Sequence, residues 1–289
     1  MSLNSEKIFS GKEDFYTYRP KWSSSFLSAI IKSCNLPSDA KIFDIGTGIG
    51  TLSLELAKLG FSIFAIDVNQ DMLRKHKKEF KSKINQQINL PGAYTIINST
   101  ASSIGLKNKS ADLITSANTT HWFRPELNEV ISEFKRILKP NGKIAILSHR
   151  LDMDANFRDE LHRIFDIHCP DYRENVVINL LDGDKAPNPK EDAINFLKEK
   201  EMNVFSDVVV QKLAKPEFLS LIKSFSFVPQ NYDNSLLMYK IKDFFDKNSV
   251  DEKITLKWKA EAYIGPLNWR SLVGHKNNND SQKSYLRPI

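Results

Sequence analysis

Residues 41–50 read KIFDIGTGIG, a short apolar run followed by three glycines at alternate positions. The run is typical of a buried strand, and Gly46, Gly48 and Gly50 allow the backbone to turn tightly into a helix. Without side chains at this turn, the backbone can come within contact distance of a ligand. The stretch therefore predicts a strand, a turn and a helix, with a binding site at the turn.

The same rhythm of strand and helix continues to residue 149. The apolar runs are IFDI (42–45), FSIFAID (61–67), YTIIN (94–98), DLITSA (112–117) and KIAILSH (143–149). Helical segments between them are predicted over 49–59, from Asn69 onward and over 125–138, the last ending at a Pro-Asn-Gly turn. This alternation is typical of a parallel sheet with crossover helices.

Beyond residue 149 the pattern loosens. Helices are predicted over 156–165, 191–200, 216–225 and 236–248, strands over 206–213 and 253–263, and a loop rich in Pro and Gly over 181–189. We interpret this half as a helical cap over the sheet plus its last strands, because neither a linker nor an independent core is evident. The expected fold is α/β, a doubly wound, mostly parallel, Rossmann-like seven-stranded sheet with the cap over the strand carboxyl ends.

The domain boundaries follow from these patterns. Residues 1–40 are expected to form an N-terminal helical cap segment, and 41–150 the nucleoside-binding core. Residues 151–276 are expected to hold the cap insertion and final strands. The polar stretch 277–289 is expected to be a mobile tail.

Composition excludes several classes of protein. The chain has 289 residues, 41% of them hydrophobic, which is sufficient for a core without disulfides. Cys34 and Cys169 fit no paired or ligand-like pattern, which favours a reducing compartment. The N-terminus lacks the apolar core of a signal peptide, and no run is long enough to span a membrane. The expected location is cytoplasmic.

The basic residues suggest one alternative partner. The net charge is +6, and a Lys-rich cluster lies between Arg74 and Lys83. On a helix such a cluster is usually a solvated face, although it also admits nucleic-acid binding. His162, His168 and Cys169 lie close in sequence but have no fourth ligand at workable spacing, so no metal site is expected.

Two acidic residues refine the ligand. Asp67 ends the second apolar run, where a carboxylate can accept hydrogen bonds from both hydroxyls of a ribose; the alternative is an N-cap of the next helix. Asp44 stands directly before the glycines, where an anion opposes a phosphate but favours a cationic amine. The usual dinucleotide pattern has its third glycine where this chain has Thr51, so the spacing disfavours NAD.

Together with the glycine turn and Asp67, two further stretches resemble class I methyltransferases that use S-adenosylmethionine. They are SADLITSANTTHWF (110–123) and EFKRILKPNGKIAIL (133–147). The resemblance is to the type 11 group, which contains trans-aconitate methyltransferase-like enzymes. The resemblance extends over most of the chain through three further stretches, YTYRPKW (16–22), KPEFLSLIKSFSFVP (215–229) and ITLKWKAEAYIGPL (254–267). The motifs are specific for cofactor and fold, and they do not identify the methyl acceptor.

The resemblance implies a set of cofactor-binding residues. They are Tyr16, Arg19, Asp44, Gly46, Thr47, Gly48, Gly50, Asp67, Val68, Met72, Thr100, Ala101, Ser102 and Asn118. The glycine turn would contact the methionine part, Asp67 the ribose, and Val68 and Met72 the adenine. Thr100 stands where the family usually has an acid at the adenine edge, which places that one contact in doubt.

At the other end of the site, the resemblance places Asn118 beside the sulfonium. Tyr16 and Arg19 would fold over the cofactor, with Arg19 facing its carboxylate; the alternative is an ordinary N-terminal helix edge. His121 follows and is a candidate catalytic base, a hydrogen-bond partner of the acceptor, or a structural histidine. Trp122 would line the acceptor pocket, or belong to the core.

These residues predict a methyltransferase acting on a small molecule that carries a carboxylate, hydroxyl or amine. His149, Arg150 and Arg19 are candidate cationic groups for the acceptor, which the cap over 15–22 and the later helices would enclose. The alternatives are an RNA or protein methyltransferase, and a non-catalytic protein that binds S-adenosylmethionine. The sequence leaves both a monomer and a homodimer open.

Overall fold

The computed structural model describes residues 8–170, 172, 189–229 and 235–268. Its centre is a seven-stranded sheet with the strand order β3-β2-β1-β4-β5-β7-β6. The strands are β1 Lys41–Ile45, β2 Ser62–Asp67, β3 Tyr94–Asn98, β4 Ala111–Ala117, β5 Leu138–Leu151, β6 Asn203–Ala214 and β7 Lys253–Gly265. The first five are parallel, and β7 is antiparallel to both of its neighbours. The strand order reverses beside β1, where open α/β sheets bind ligands.

Helices flank the described part of the sheet. They are α1 Ser24–Cys34, α2 Thr51–Lys58, α3 Gln70–Asn85, α4 Leu127–Ile137, α5 Ala155–His168, α6 Pro189–Phe196, α7 Lys215–Lys223 and α8 Leu236–Asn248. Short 3-10 helices cover Phe15–Tyr18, Thr120–Glu126 and Glu199–Glu201. Among the described residues, none of the helices is long and apolar enough to cross a bilayer.

Local sequence explains the two helices next to the glycine turn. Gly50 is the N-cap of α2 and has φ 85°, a left-handed conformation that glycine adopts without strain. Asn69 caps α3, since its side-chain oxygen accepts a hydrogen bond from the Met72 amide at 2.9 Å. Both helices therefore begin beside the carboxyl ends of their preceding strands.

The expected helix over 125–138 was wrong in its first turn and at its end. Pro125 lies inside the 3-10 helix, and α4 begins at Leu127. Pro140, Asn141 and Gly142 lie within the span of β5, where the pairing with β4 shifts register. A strand that starts this early takes up the turn residues as an irregularity in the ladder.

The helical cap has its own apolar cluster, continuous with the last strands. Buried side chains of α5, α7 and α8 pack together with residues of β6 and β7, including Leu213, Leu256 and Trp258. Helix α8 has the predicted bounds, whereas the helix expected over 191–200 ends at Phe196. Residues 181–188 of the expected loop and the expected tail 277–289 lie outside the described residues.

Candidate functional site

A cavity of about 540 Å³ lies at the carboxyl ends of β1, β2 and β4. Its floor is the glycine turn with the residues that follow β2 and β4. Its roof comes from the segment before α1 and from the turn after α7, which contributes Phe225, Ser226 and Phe227. A volume of this size suits a small-molecule ligand.

The three glycines have different surroundings. A Cβ at Gly46 would lie 2.2 Å from Thr119 Cγ2, and a Cβ at Gly50 would lie 2.1 Å from Nε2 of the buried His76. At Gly48 nothing lies within 4 Å of that position, and Gly48 borders the cavity. Gly48 thus leaves room for a ligand. The expectation for Gly50 was wrong: it does not border the cavity, because the ring of His76 fills that side of the turn.

Asp67 faces the glycine turn. Its Oδ2 accepts a hydrogen bond from the Gly48 amide at 2.7 Å, and its Oδ1 accepts one from the Asn69 amide at 2.8 Å. Burial raises the pKa of the Asp67 carboxyl, and these two amide bonds oppose the increase. Each oxygen keeps a second acceptor site, so the carboxylate can still bind two hydroxyls.

Asp44 is held differently, although it too borders the cavity. It is 1% exposed. Its oxygens accept hydrogen bonds from the hydroxyls of Thr47, Ser53 and Thr115 at 2.6–2.9 Å. Burial raises the pKa of Asp44, against the effect of those hydroxyls. Much of its acceptor capacity is therefore used within the protein, and it orders the turn as well as contributing charge.

The residues expected near an adenine lie together on one side of the cavity. They are Val68, Met72, Thr100, Ala101 and Ser102. Ser102 Oγ donates a hydrogen bond to Glu126 at 2.7 Å, which fixes this loop to the 3-10 helix after β4. Thr100 does not supply the carboxylate that the family usually has at this position, but the carboxylate of Glu126 borders the same side of the cavity.

Asn118 and His121 lie where β4 ends. Asn118 has φ 53°, and its Oδ1 accepts a hydrogen bond from the His149 amide at 2.8 Å. His121 Nε2 is buried and has no hydrogen-bond partner among the described residues. Burial, together with Arg124 and Arg19, lowers the pKa of His121 to about 3. The imidazole is therefore neutral, and one of its nitrogens is left for a ligand. Trp122 borders the cavity beside it.

His149 lines the cavity and Arg150 does not. The ring of His149 is stacked on Trp22 with 3.7 Å between centroids, and burial lowers its pKa to about 3. It is thus a neutral group, not the cation that was expected. Arg150 forms an ion pair with Glu261 at 2.8 Å. Successive side chains of a strand point to opposite faces, which excludes Arg150 from the cavity once His149 lies in it.

Tyr16 and Arg19 form part of the roof. The Arg19 guanidinium donates hydrogen bonds to the Ser224 hydroxyl and carbonyl at 2.7 and 2.9 Å. It also lies over the rings of Tyr16 and Phe225. Burial lowers the pKa of Arg19 from its usual very high value. No carboxylate of the described residues forms an ion pair with it, so its charge is available to a ligand.

A further group of residues completes the cavity and was not predicted from the sequence. They include Phe9, Thr119, Phe225, Phe227 and Trp258. All but Thr119 are apolar residues of patterns that also fit a core, so nothing in the local sequence distinguishes them. Thr119 lies two residues after the end of β4, and this position at a strand end was the one signal in the sequence.

The Lys-rich cluster lies on α3 and is partly neutralised. Lys75 forms ion pairs with Asp14 at 3.0 Å and Glu79 at 3.6 Å, and Arg74 contacts Asp71. His76, within the cluster, is fully buried. In the described part of the chain, no three side chains of His, Cys, Asp or Glu are grouped as metal ligands would be.

This sheet order, with a glycine turn after β1 and an acid at the end of β2, is that of a doubly wound α/β fold. Such folds bind nucleotide-like ligands at the carboxyl ends of their strands. Residues 43–146 match a family described as a methyltransferase domain. A relative from Dictyostelium discoideum that is named as a methyltransferase is 30% identical over 158 residues, 53% of each chain. The chain thus spans about half the length of that relative. The ubiquinone/menaquinone biosynthesis C-methyltransferase UbiE of Rickettsia bellii is 26% identical over 74% of this chain and 76% of its own.

The fold extends beyond the matched segment. A solved structure of a type II methyltransferase from Anaeromyxobacter dehalogenans superposes with a TM-score of 0.61. It covers 86% of this chain and 97% of its own, at 19% identity, which shows the shared fold alone. The predicted fold is confirmed, and so is a class I methyltransferase domain that uses S-adenosylmethionine. The trans-aconitate methyltransferase-like subtype stays a prediction.

Proposed function

We propose that the whole protein transfers a methyl group from S-adenosylmethionine to a small, flat, neutral or anionic acceptor. One observation carries the proposal: the cavity joins Gly48 and Asp67 to an aromatic chamber. This chamber is the part of the cavity lined by Trp22, Trp122, Phe225 and Phe227. In that chamber, His121 Nε2 and His149 Nε2 are buried without a hydrogen-bond partner among the described residues. Unpaired buried nitrogens are costly, which favours a ligand that binds them.

The residues of the cavity floor fit the cofactor. Gly48 leaves the space that a Cβ would fill, and Asp67 keeps acceptor sites for two ribose hydroxyls. Val68, Met72 and Ala101 supply apolar contacts suited to a purine. Arg19 offers a positive charge to the carboxylate of the amino-acid part, as the resemblance implies.

When bound, S-adenosylmethionine would supply a methyl group on a positively charged sulfur: a lone pair of the acceptor would form the new bond to carbon, and the C–S electron pair would stay on sulfur. The chain's own contribution is then to position the acceptor and to exclude water, which can be worth about 7–11 kcal/mol. Trp22, Trp122, Phe225 and Phe227 line the cavity, and apolar rings of this kind would keep water from a bound acceptor.

The electrostatics of the chamber select the acceptor. No carboxylate of the described residues forms an ion pair with Arg19. The charge of Arg19 contributes to the low pKa values of both His121 and His149. Once Arg19 faces the cofactor carboxylate, an ammonium acceptor would still be disfavoured, because the aromatic rings and neutral histidines of the chamber carry no negative charge. A carboxylate would be favoured, and so would a phenol that loses its proton to water before transfer and reacts as the phenolate. Because protonation of His121 is so unfavourable, it is better suited to hold the acceptor by a hydrogen bond than to remove a proton.

The test is turnover of S-adenosylmethionine with defined acceptors. Sets of three flat aromatic compounds that differ only in bearing a carboxylate, a hydroxyl or an aminomethyl group would be incubated with the protein. Release of S-adenosylhomocysteine and the methylated product would be followed by mass spectrometry. We expect turnover with the first two kinds and none with the aminomethyl compounds. Turnover confined to ammonium compounds, or to added RNA or protein, would contradict the proposal.

A further inference from the structure

Lys12 is an unusual buried cation at the edge of the roof. Its side chain is 3% exposed, yet it does not border the cavity. The ammonium Nζ donates hydrogen bonds to the carbonyl oxygens of Phe225 at 2.6 Å and Val228 at 2.7 Å, and lies 3.4 Å from that of Ser226. Among the described residues it forms no ion pair. A buried ammonium without a carboxylate is costly, so such a site requires a reason.

The contacts of Lys12 join two distant segments. Its backbone stabilises the N-terminal segment, because the Lys12 amide bonds the Phe9 carbonyl and the Lys12 carbonyl accepts from the Phe15 amide. Its ammonium holds the turn over 225–228, more than 200 residues later. Phe9 and Tyr16 on one side, and Phe225 and Phe227 on the other, are walls of the cavity.

A second contact of the same kind lies next to it. Arg19 donates to Ser224, directly before the turn that Lys12 holds. Burial and, second to it, the like charge of Arg19 lower the pKa of Lys12 to about 8, against the opposite effect of Cys169. A buried and a half-buried cation of one segment thus bind the carbonyl and hydroxyl oxygens that surround one turn.

We propose that Lys12 is a positioning residue, which fastens the N-terminal segment to the turn over 225–228 and so fixes the roof of the cavity. This inference rests on the proposed function, since it concerns the same cavity. Lys12 acts through its neighbours: it sets where Tyr16 and Arg19 stand over the cofactor side, and where Phe225 and Phe227 stand over the acceptor side. Without it, the roof would have to be ordered whenever a ligand binds.

The experiment uses the full chain and S-adenosylhomocysteine, the cofactor product, as the probe. Its affinity would be measured by calorimetry for the wild type, Lys12→Met, Lys12→Arg and Lys21→Met. Lys21 lies on the same segment, is exposed and does not border the cavity, so it is the matched control. Acrylamide quenching of tryptophan fluorescence gives a second measurement, because Trp122 packs edge-on against Phe9 with 5.2 Å between centroids.

We expect Lys12→Met to bind the probe about tenfold more weakly, since three carbonyl oxygens lose a charged donor. Its tryptophans should be quenched more strongly, and its thermal midpoint should fall only slightly. Lys12→Arg should recover part of the affinity because a guanidinium can donate to the same carbonyls. Lys21→Met should match the wild type.

Other outcomes separate the two proposals. Equal affinity and equal quenching for Lys12→Met and the wild type would overturn the positioning role and leave the proposed function intact. A wild type that does not bind the probe would overturn the proposed function. If Lys12→Met does not fold, Lys12→Gln, which keeps an N–H donor, replaces it; wild-type affinity and quenching in Lys12→Gln would overturn a role for the ammonium.

Discussion

The cofactor side of the cavity is built by neighbouring strand ends, whereas the acceptor side joins segments as far apart as Phe9 and Trp258. On the first side, backbone turns and Asp67 are held by short hydrogen bonds within the parallel sheet. On the second, aromatic rings and the cations Lys12 and Arg19 join the N-terminal segment to the turn after α7. The first arrangement depends on contacts between neighbouring strand ends, and the second on contacts between segments that are distant in sequence.

This difference separates what is general in the molecule from what is particular to it. A glycine turn and a strand-end acid suit any donor with a ribose and an amino-acid part. The rings and charges of the roof decide which acceptor enters. Substitutions on the two sides should therefore have different consequences, and the following predictions test that distinction.

The largest effects are expected within the glycine turn. Gly50→Ala should lower the free energy of unfolding by about 3 kcal/mol, because the new Cβ would overlap His76 and the backbone keeps φ 85°. Gly48→Ala meets no such neighbour and should cost only about 1 kcal/mol of strain, while S-adenosylhomocysteine binding should fall at least tenfold. Chemical denaturation and calorimetry on both variants would show the separation. Identical behaviour of the two variants would contradict it.

Asp67 should dominate cofactor affinity. We expect Asp67→Ala to weaken binding of S-adenosylhomocysteine by roughly 10- to 100-fold, since hydrogen bonds to a charged group are worth about 1.5–3 kcal/mol. Asp67→Asn, which keeps one acceptor oxygen, should lose less. Calorimetry would measure both. Wild-type affinity in Asp67→Ala would place the nucleoside elsewhere.

On the acceptor side, the effect of His121 should depend on the acceptor. His121→Ala should leave cofactor-product binding within about twofold, since the role proposed for it is on the acceptor, and lower kcat/KM by roughly tenfold through one lost hydrogen bond. The loss should be similar for carboxylate and hydroxyl acceptors, as determined by steady-state kinetics. A loss confined to hydroxyl acceptors would instead identify His121 as a base.

The last prediction concerns pH and stability. Burial lowers the pKa of His121 and His149 to about 3 and that of His76 to about 4, against about 6.5 in an unfolded chain. The unfolded state therefore binds more protons between these values. Stability should be complete above pH 6.5 and fall as the pH decreases toward 3, by up to about 1.4 kcal/mol per pH unit for each histidine.

The measurement is denaturant unfolding between pH 8 and 5. His149→Gln should reduce the slope of stability against pH below 6.5. An unchanged slope would show that His149 is protonated in the folded protein. Because these groups titrate so low, the pH profile of activity between 5.5 and 7.5 should show no ionisation assignable to His121.

Much of the fold could be predicted because it depends on local patterns. The apolar runs predicted the first five strands, and Asn69 indicated the N-cap of α3. Helix α8 has the bounds that were expected for it. The residues that follow each strand were also predictable, since parallel strands end at one edge of the sheet. Glu126 and Thr119 follow such an end but were not recognised.

The roof could not be predicted, for a physical reason. Phe225 and Phe227 follow a helix in a pattern that equally suits a core, and only the fold brings them over the sheet. Lys12 carries no signal in its sequence neighbourhood, because its partners are backbone carbonyls more than 200 residues away. Gly50 was assigned to the ligand, whereas its need for glycine comes from His76, on another helix.

The most direct test is a crystal structure of the full chain with S-adenosylhomocysteine. We expect the ribose hydroxyls on the Asp67 carboxylate, the amino-acid part over Gly48 beneath Arg19, and the sulfur facing the chamber of His121 and His149. A ligand bound away from Asp67, or one whose sulfur faces solvent instead of that chamber, would contradict it.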